Sequence, residues 1–325
     1  MMKEEELKQI ISRGFKRGKM DSGFWSYEVE LFLVVLKSMV PDRESGTNKV
    51  DYVRFQKELE LWRDYRHGGN RAVMDAIKGD YESYWKAEDE SIAFRVLAIA
   101  LANESVEGIV EESLKNTAYF TGNSEQIVQS SYMGAFLGHL FNSESPDRIK
   151  EFSREAVVKL SLKEDILDAK LLKLELNESR TRYVVEFERS RIELLGKLSG
   201  NSTEKYPYVD TLHGLLEGEV DEEETIFEAF TAIKHGKDDA DTDRFSEIMA
   251  RYIWKLRKGW IDPEQIEIKE YIEPDIFSME LGEKSYHSLL NRIELISVEM
   301  QDSFEIRHIG TKTGVYRFFK RKNGR

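Results

Sequence analysis

From residue 3 to residue 258 the apolar residues recur at spacings of three and four, with only five prolines in 325 residues to interrupt them. That period is one face of an α-helix, so the body of the chain is expected to be helical. Helices are expected over 3–13, 25–40, 50–66, 70–78, 89–103, 105–116, 123–141, 147–158, 163–198, 205–217, 222–235 and 243–258. Asn48 before 50–66, Asn123 with Gln126, and Asp221 with Glu224 read as N-caps whose side chains satisfy orphan backbone amides. His67-Gly68-Gly69-Asn70 and Gly200-Asn201 supply residues that tolerate left-handed backbone after a helix. A straight helix over 163–198 would be roughly 54 Å long, against a radius of gyration of about 20 Å for a compact chain of this length. A break is therefore expected at Asn177-Glu178-Ser179, and the Leu171, Leu172, Leu174 and Leu176 stripe reads as core packing.

The texture changes at Pro263. Ile266 and Ile268, then Ile296–Met300, Phe304–Ile309 and Val315–Phe319, have the short, β-branched and aromatic character of strands, with Gly310–Gly314 as a hairpin turn. The division expected is a helical domain over 1–263 and a strand-bearing extension over 264–325. Arg317, Lys320, Arg321, Lys322 and Arg325 read as a solvated basic tail.

Charge narrows the function classes. With 61 Asp and Glu against 48 Lys and Arg, the formal charge of −13 opposes a non-specific nucleic-acid binder driven by counterion release. No apolar run is long enough to span a bilayer, and the acidic start MMKEEELKQIISRG has no apolar signal core, so a cytoplasmic protein without membrane partners is expected. The absence of cysteine removes disulfides, thiol catalysis and thiolate metal sites together, leaving oxygen and nitrogen chemistry. Gly14-Phe-Lys-Arg-Gly18-Lys19-Met20 is one residue short of a phosphate-binding loop, and Met20 stands where a magnesium-binding hydroxyl is needed. The six histidines show no ligand spacing with one another.

The densest constellation is His235-Gly-Lys-Asp-Asp-Ala-Asp-Thr-Asp243. Asp239, Asp241 and Thr242 place two carboxylates and a hydroxyl in one turn at a helix start. Carboxylates about 4 Å apart repel by about 4 kcal/mol at an effective dielectric near 20, which a hard cation relieves. An EF-hand is excluded, because Arg244 stands where its glycine belongs and Ala250 where its closing glutamate belongs. Helix capping by the same aspartates is the other reading of these residues.

The segments Tyr206–Gly214 and Ile226–Ile233, Asp239-Ala-Asp-Thr242, and Trp260-Ile-Asp-Pro263 together resemble the C-terminal signature of the ADP-ribosylglycohydrolase family. Upstream, Leu61-Trp62, His67–Arg71 with Ala76-Ile77, Ser91–Ala98 with its Arg95, and Ala118–Thr121 follow in the family's order, so the resemblance covers about residues 20–263. It implies an all-α, orthogonal multi-helix bundle with a magnesium pair held partly by an Asp-x-Asp-Thr turn, here Asp239, Asp241 and Thr242. It further implies hydrolysis of an N- or O-glycosidic bond at an ADP-ribosyl group, with an ADP-ribosylated protein or ADP-ribose-like nucleotide as the ligand. The family's early Thr-Asp-Asp-Thr is matched by Ser26-Tyr27-Glu28-Val29, in which only Ser26 and Glu28 still offer oxygen. One metal ion or none then becomes an alternative to two. By the resemblance Glu28 and Asp239 would be catalytic, Ser26, Glu28, Asp239, Asp241 and Thr242 metal ligands, and Arg95 a structural hydrogen-bond donor.

Gly122 stands where the family has His, Lys237-Asp238 where it has Gly-Gly, and Asp89-Glu90 where it has small residues, so charged groups at 89–90 are expected to crowd a diphosphate. Two readings follow from these departures. One is a magnesium-dependent ADP-ribosyl hydrolase. The other is a relic of that fold that has lost catalysis and binds a ligand or partner, with the C-terminal extension making oligomer or protein contacts.

Overall fold

The structure is a computed structural model that describes residues 2–42, 44–168, 171–173, 180–201, 206–217, 225–231 and 243–322. The chain is mostly helical, with a small four-stranded antiparallel sheet near its C-terminus. The helices are α1 (Glu4–Arg17), α2 (Tyr27–Ser38), α3 (Tyr52–Tyr65), α4 (Arg71–Lys78), α5 (Ile92–Ala102), α6 (Val106–Phe120) and α7 (Ser124–Phe141). They continue with α8 (Pro146–Lys159), α9 (Arg180–Leu198), α10 (Pro207–Glu217), α11 (Ile226–Thr231), α12 (Arg244–Arg257) and the single turn α13 (Pro263–Ile266).

The eleven residues of α5, IAFRVLAIALA, are all buried. Apart from Arg95 its residues are apolar on every side, so it has no face to give to water and becomes the axis of the body. Helices α2, α6, α7 and α12 pack around it. Its C-terminal carbonyls need donors from elsewhere. Arg257 of α12 donates to Ala100 O at 3.0 Å, and Asn48 donates through Nδ2 to Ala102 O at 2.7 Å and to Leu256 O at 3.0 Å. Asn48 is thus not the N-cap expected from its place before 50–66. It lies in a two-stranded ribbon, β1 (Met39–Pro41) and β2 (Asn48–Val50), and Asp51 caps α3 by accepting from Val53 N and Arg54 N. Asn123 does cap α7, accepting from Glu125 N and Gln126 N. No helix among the described residues is long and apolar enough to cross a membrane.

The long 163–198 stretch is not one helix. Leu162–Asp168 is a π-helical segment and α9 begins at Arg180, while the expected break at 177–179 lies outside the described residues. Leu172 is buried and Leu171 packs against the core, as a packing stripe requires; Leu174 and Leu176 also lie outside the described residues.

The C-terminal sheet is a meander of β3 (Lys284–His287), β4 (Asn291–Gln301), β5 (Phe304–Thr311) and β6 (Gly314–Arg321), with a bulge at Leu295/Ser297. Thr311 pairs with Gly314 across the expected last turn, and Gly314 takes a left-handed φ of 145° there. The alternation read around Ile266 and Ile268 does not make a strand: Ile266 ends α13 and Ile268 follows in a loop. The basic residues expected as a tail are largely strand, since Arg317, Lys320 and Arg321 belong to β6. The sheet meets the helical body where Tyr65 of α3 lies edge-on to Tyr316 and Phe318, at 5.0 and 5.8 Å between ring centres. The Arg317 guanidinium lies over Phe24 at 5.5 Å.

Candidate functional site

The motif 26–29 sits at the start of α2, and its four side chains go four ways. Ser26 is the N-cap residue, but its hydroxyl does not cap. Its Oγ is buried without a hydrogen-bond partner among the described residues. The Tyr27 phenol donates to Glu90 Oε2 at 3.5 Å. Burial, then the Glu28 and Glu90 carboxylates, push that phenol well above its ordinary pKa, so it stays neutral. Val29 is buried in the core, close against the backbone of Gly18, where an added Cβ would lie 2.4 Å from Val29 Cγ2.

Glu28 is half-buried and faces a cleft of about 500 Å³ that it shares with Arg17, Phe94, Tyr208, Thr211 and Phe227. Three aromatic rings, one carboxylate and one guanidinium therefore line a concave surface at the junction of α1, α2, α5, α10 and α11. Tyr208 donates its phenolic proton to the Glu90 carbonyl. Its own pKa is pushed up to about 12 by burial and by the carboxylates of Asp89, Glu90 and Glu28.

Asp89 does not crowd this cleft, contrary to the expectation for 89–90. It is fully buried beneath α5 and pairs with Arg95 Nη2 at 2.6 Å. Its Oδ1 accepts from Asn70 Nδ2 at 2.8 Å, Ser91 N at 3.0 Å and Ser91 Oγ at 2.6 Å. Arg95 also donates to Asn116 Oδ1 and Ser91 Oγ, both at 2.7 Å, which is the structural role expected of it. Only Glu90 of the pair is exposed.

The deepest carboxylate of α2 is one that the sequence reading passed over. Glu30 is buried, and its oxygens accept from Trp62 Nε1 at 2.8 Å, His67 N at 3.2 Å and His67 Nδ1 at 2.6 Å. His67 stacks on Phe24 at 4.4 Å, and its Nε2 is buried without a partner among the described residues. The signal was available. A glutamate inside the apolar run Val29–Leu36 has to find donors, and Trp62 and His67 carry N–H groups of the kind it needs.

Asp239, Asp241 and Thr242, and Lys237-Asp238 beside them, lie outside the described residues. Among the described residues no three His, Asp or Glu side chains are grouped to hold a metal ion. The early motif itself offers such an ion one carboxylate, Glu28, and one orphaned hydroxyl, Ser26, because Tyr27 is a neutral phenol and Val29 has no oxygen on its side chain.

Gly122 has a local steric reason. A Cβ there would lie 2.7 Å from both Tyr84 Cε1 and Trp85 Cε3, closer than any real side chain approaches. Gly122→His is expected to lower stability by about 1–3 kcal/mol through overpacking. The measurement is urea unfolding, and an unchanged midpoint would refute the clash. No protein-family model matches this chain, and no curated protein matches it.

Proposed function

We propose that the chain is a divergent relative of the ADP-ribosylglycohydrolases, with their helical-bundle fold, whose cleft binds an ADP-ribosyl or similar nucleotide group without hydrolysing it efficiently. The carrying observation is the position of Tyr27. The residue that stands where a metal-binding carboxylate would be needed is a neutral phenol hydrogen-bonded to Glu90. What remains in the cleft suits recognition: aromatic faces at Phe94, Tyr208 and Phe227 for a base, and Arg17 for phosphate charge.

Hydrolysis is the second reading, favoured by the orphaned Ser26 Oγ and the cleft-facing Glu28. In it Ser26 and Glu28, with Asp239, Asp241 and Thr242 from the later turn, would hold one or two magnesium ions. Bound magnesium supplies charge neutralisation and orientation of ribose hydroxyls and water. Glu28 would hold or accept the proton of the attacking water, and its carboxylate with that of Asp239 would stabilise positive charge developing on the ribose ring.

Titration of the purified protein with ADP-ribose, with and without magnesium, tests the first reading. Saturable binding is expected, weakened about tenfold by Tyr208→Ala, since loss of one stacking face costs about 1–3 kcal/mol. Incubation with ADP-ribosylated arginine and serine peptides tests the second. Release of ADP-ribose that disappears in Glu28→Gln would replace the first reading by the second, and neither binding nor release would remove both.

A further inference from the structure

Away from the cleft, three tyrosines surround one ammonium group. Lys173 Nζ lies 3.6 Å from the ring centre of Tyr81, 5.3 Å from that of Tyr84 and 5.1 Å from that of Tyr119. It also donates to Tyr119 O at 2.9 Å. Tyr81 and Tyr84 come from the turn between α4 and α5, Tyr119 from the last turn of α6, and Lys173 from the connection that precedes α9.

The rings are held by contacts that do not involve the lysine. Tyr84 is buried and donates its phenolic proton to Ala118 O at 2.6 Å. Tyr81 stands perpendicular to it at 6.1 Å. Tyr119 donates to Gln56 Oε1 and stacks on Tyr52 at 5.6 Å. Burial pushes the Tyr119 phenol up to about 12, so at neutral pH the ring meets a cation through its quadrupole and not through a phenolate charge.

A cation within about 6 Å of an aromatic ring centre is attracted to the negative face of the ring's quadrupole. The attraction does not require an N–H group. Methyl groups on nitrogen reduce hydration of the cation and leave its charge intact, so a cage of ring faces suits a methylated ammonium at least as well as a primary amine. We propose that Tyr81, Tyr84 and Tyr119 form a binding site for a methylated ammonium group, with Lys173 as its internal occupant. A ligand carrying that group competes with Lys173 for the three ring faces. The fold-change between wild type and a variant lacking the occupant then reports how firmly Lys173 holds the site.

The Lys173→Ala protein is titrated with tetramethylammonium chloride at constant ionic strength, and in parallel with neopentyl alcohol, a neutral molecule of similar branching. Saturable binding of the cation, about tenfold or more tighter than in the wild type, is expected, with no matching response to the alcohol. Tyr81→Leu in the same background is expected to abolish it. An equal response to the two probes, or no binding by a folded Lys173→Ala protein, overturns the proposal. Should that variant not fold, the wild-type protein decides: tetramethylammonium is expected to shift the ring resonances of Tyr81 and Tyr119 where sodium chloride does not, and the absence of such shifts overturns the proposal equally. The site shares no residue with the cleft of Glu28, so its failure leaves the reading of the cleft unchanged.

Discussion

Arg95→Met is expected to cost about 3–5 kcal/mol of stability, because it strands the Asp89 carboxylate at a fully buried position. Burial alone would raise the pKa of Asp89. The Arg95 charge and the hydrogen bonds from Arg95, Ser91 and Asn70 outweigh it and hold the carboxyl below its ordinary range. A carboxyl depressed in the folded state contributes stability that is present above its unfolded pKa, about 3.9, and is lost as the pH falls through the folded value. The wild-type protein should therefore weaken below about pH 4. Asp89→Asn should flatten that acid limb.

The Arg95→Met protein should behave in the opposite sense at higher pH. With its partner gone, burial raises the Asp89 pKa above the unfolded value, so the folded state binds the extra proton and stability falls as the pH rises. Urea unfolding between pH 3 and pH 8 measures both limbs. A midpoint for Arg95→Met that is within error of wild type and independent of pH would show that the pair does not support α5.

The second large effect concerns Gly14, in the last turn of α1. In an exposed helix Gly→Ala is stabilising by up to about 1 kcal/mol. Here the sign should reverse, because a Cβ at this position would lie 2.3 Å from the ring of Phe230. That ring is fully buried, with Phe15 at 5.7 Å and Phe32 at 4.9 Å between centres, so it has little room to turn aside. Gly14→Ala is expected to destabilise by about 1–3 kcal/mol, and Gly14→Leu by more. Thermal unfolding decides it, and a raised Tm for Gly14→Ala would sink the argument. Phe230→Leu in the same chain should recover part of the loss, since the two positions share one space.

Gly14 also shows where sequence reading stops. Spacing was enough to reject a phosphate-binding loop at Gly14–Met20, but it could not say why a glycine stands inside an amphipathic helix. The answer lies on α11, more than two hundred residues away in the chain. Asn48 is a similar case. Its place before an apolar stretch suits a cap, yet its partners are Ala102 O and Leu256 O, and the latter is 208 residues distant. The motif at 26–29 was legible as altered, because Tyr and Val replace carboxylate and hydroxyl in the sequence itself. That Val29 packs in the core while Tyr27 reaches Glu90 was not legible.

By itself the sequence determined the helical body, the approximate limits of most of its described helices, the terminal hairpin and the lack of thiol groups along this chain. These follow from local quantities: the period of apolar residues records which face of each turn leaves water, and a missing residue type is missing from every site. Only the tertiary structure decided that Asp89 turns inward to Arg95, that Glu30 rather than Glu28 is the buried carboxylate of α2, and that Lys173 lies among three tyrosines. A buried polar group must be paired. Its partner can come from any element that the packing brings within about 3 Å, and sequence separation carries no record of that distance.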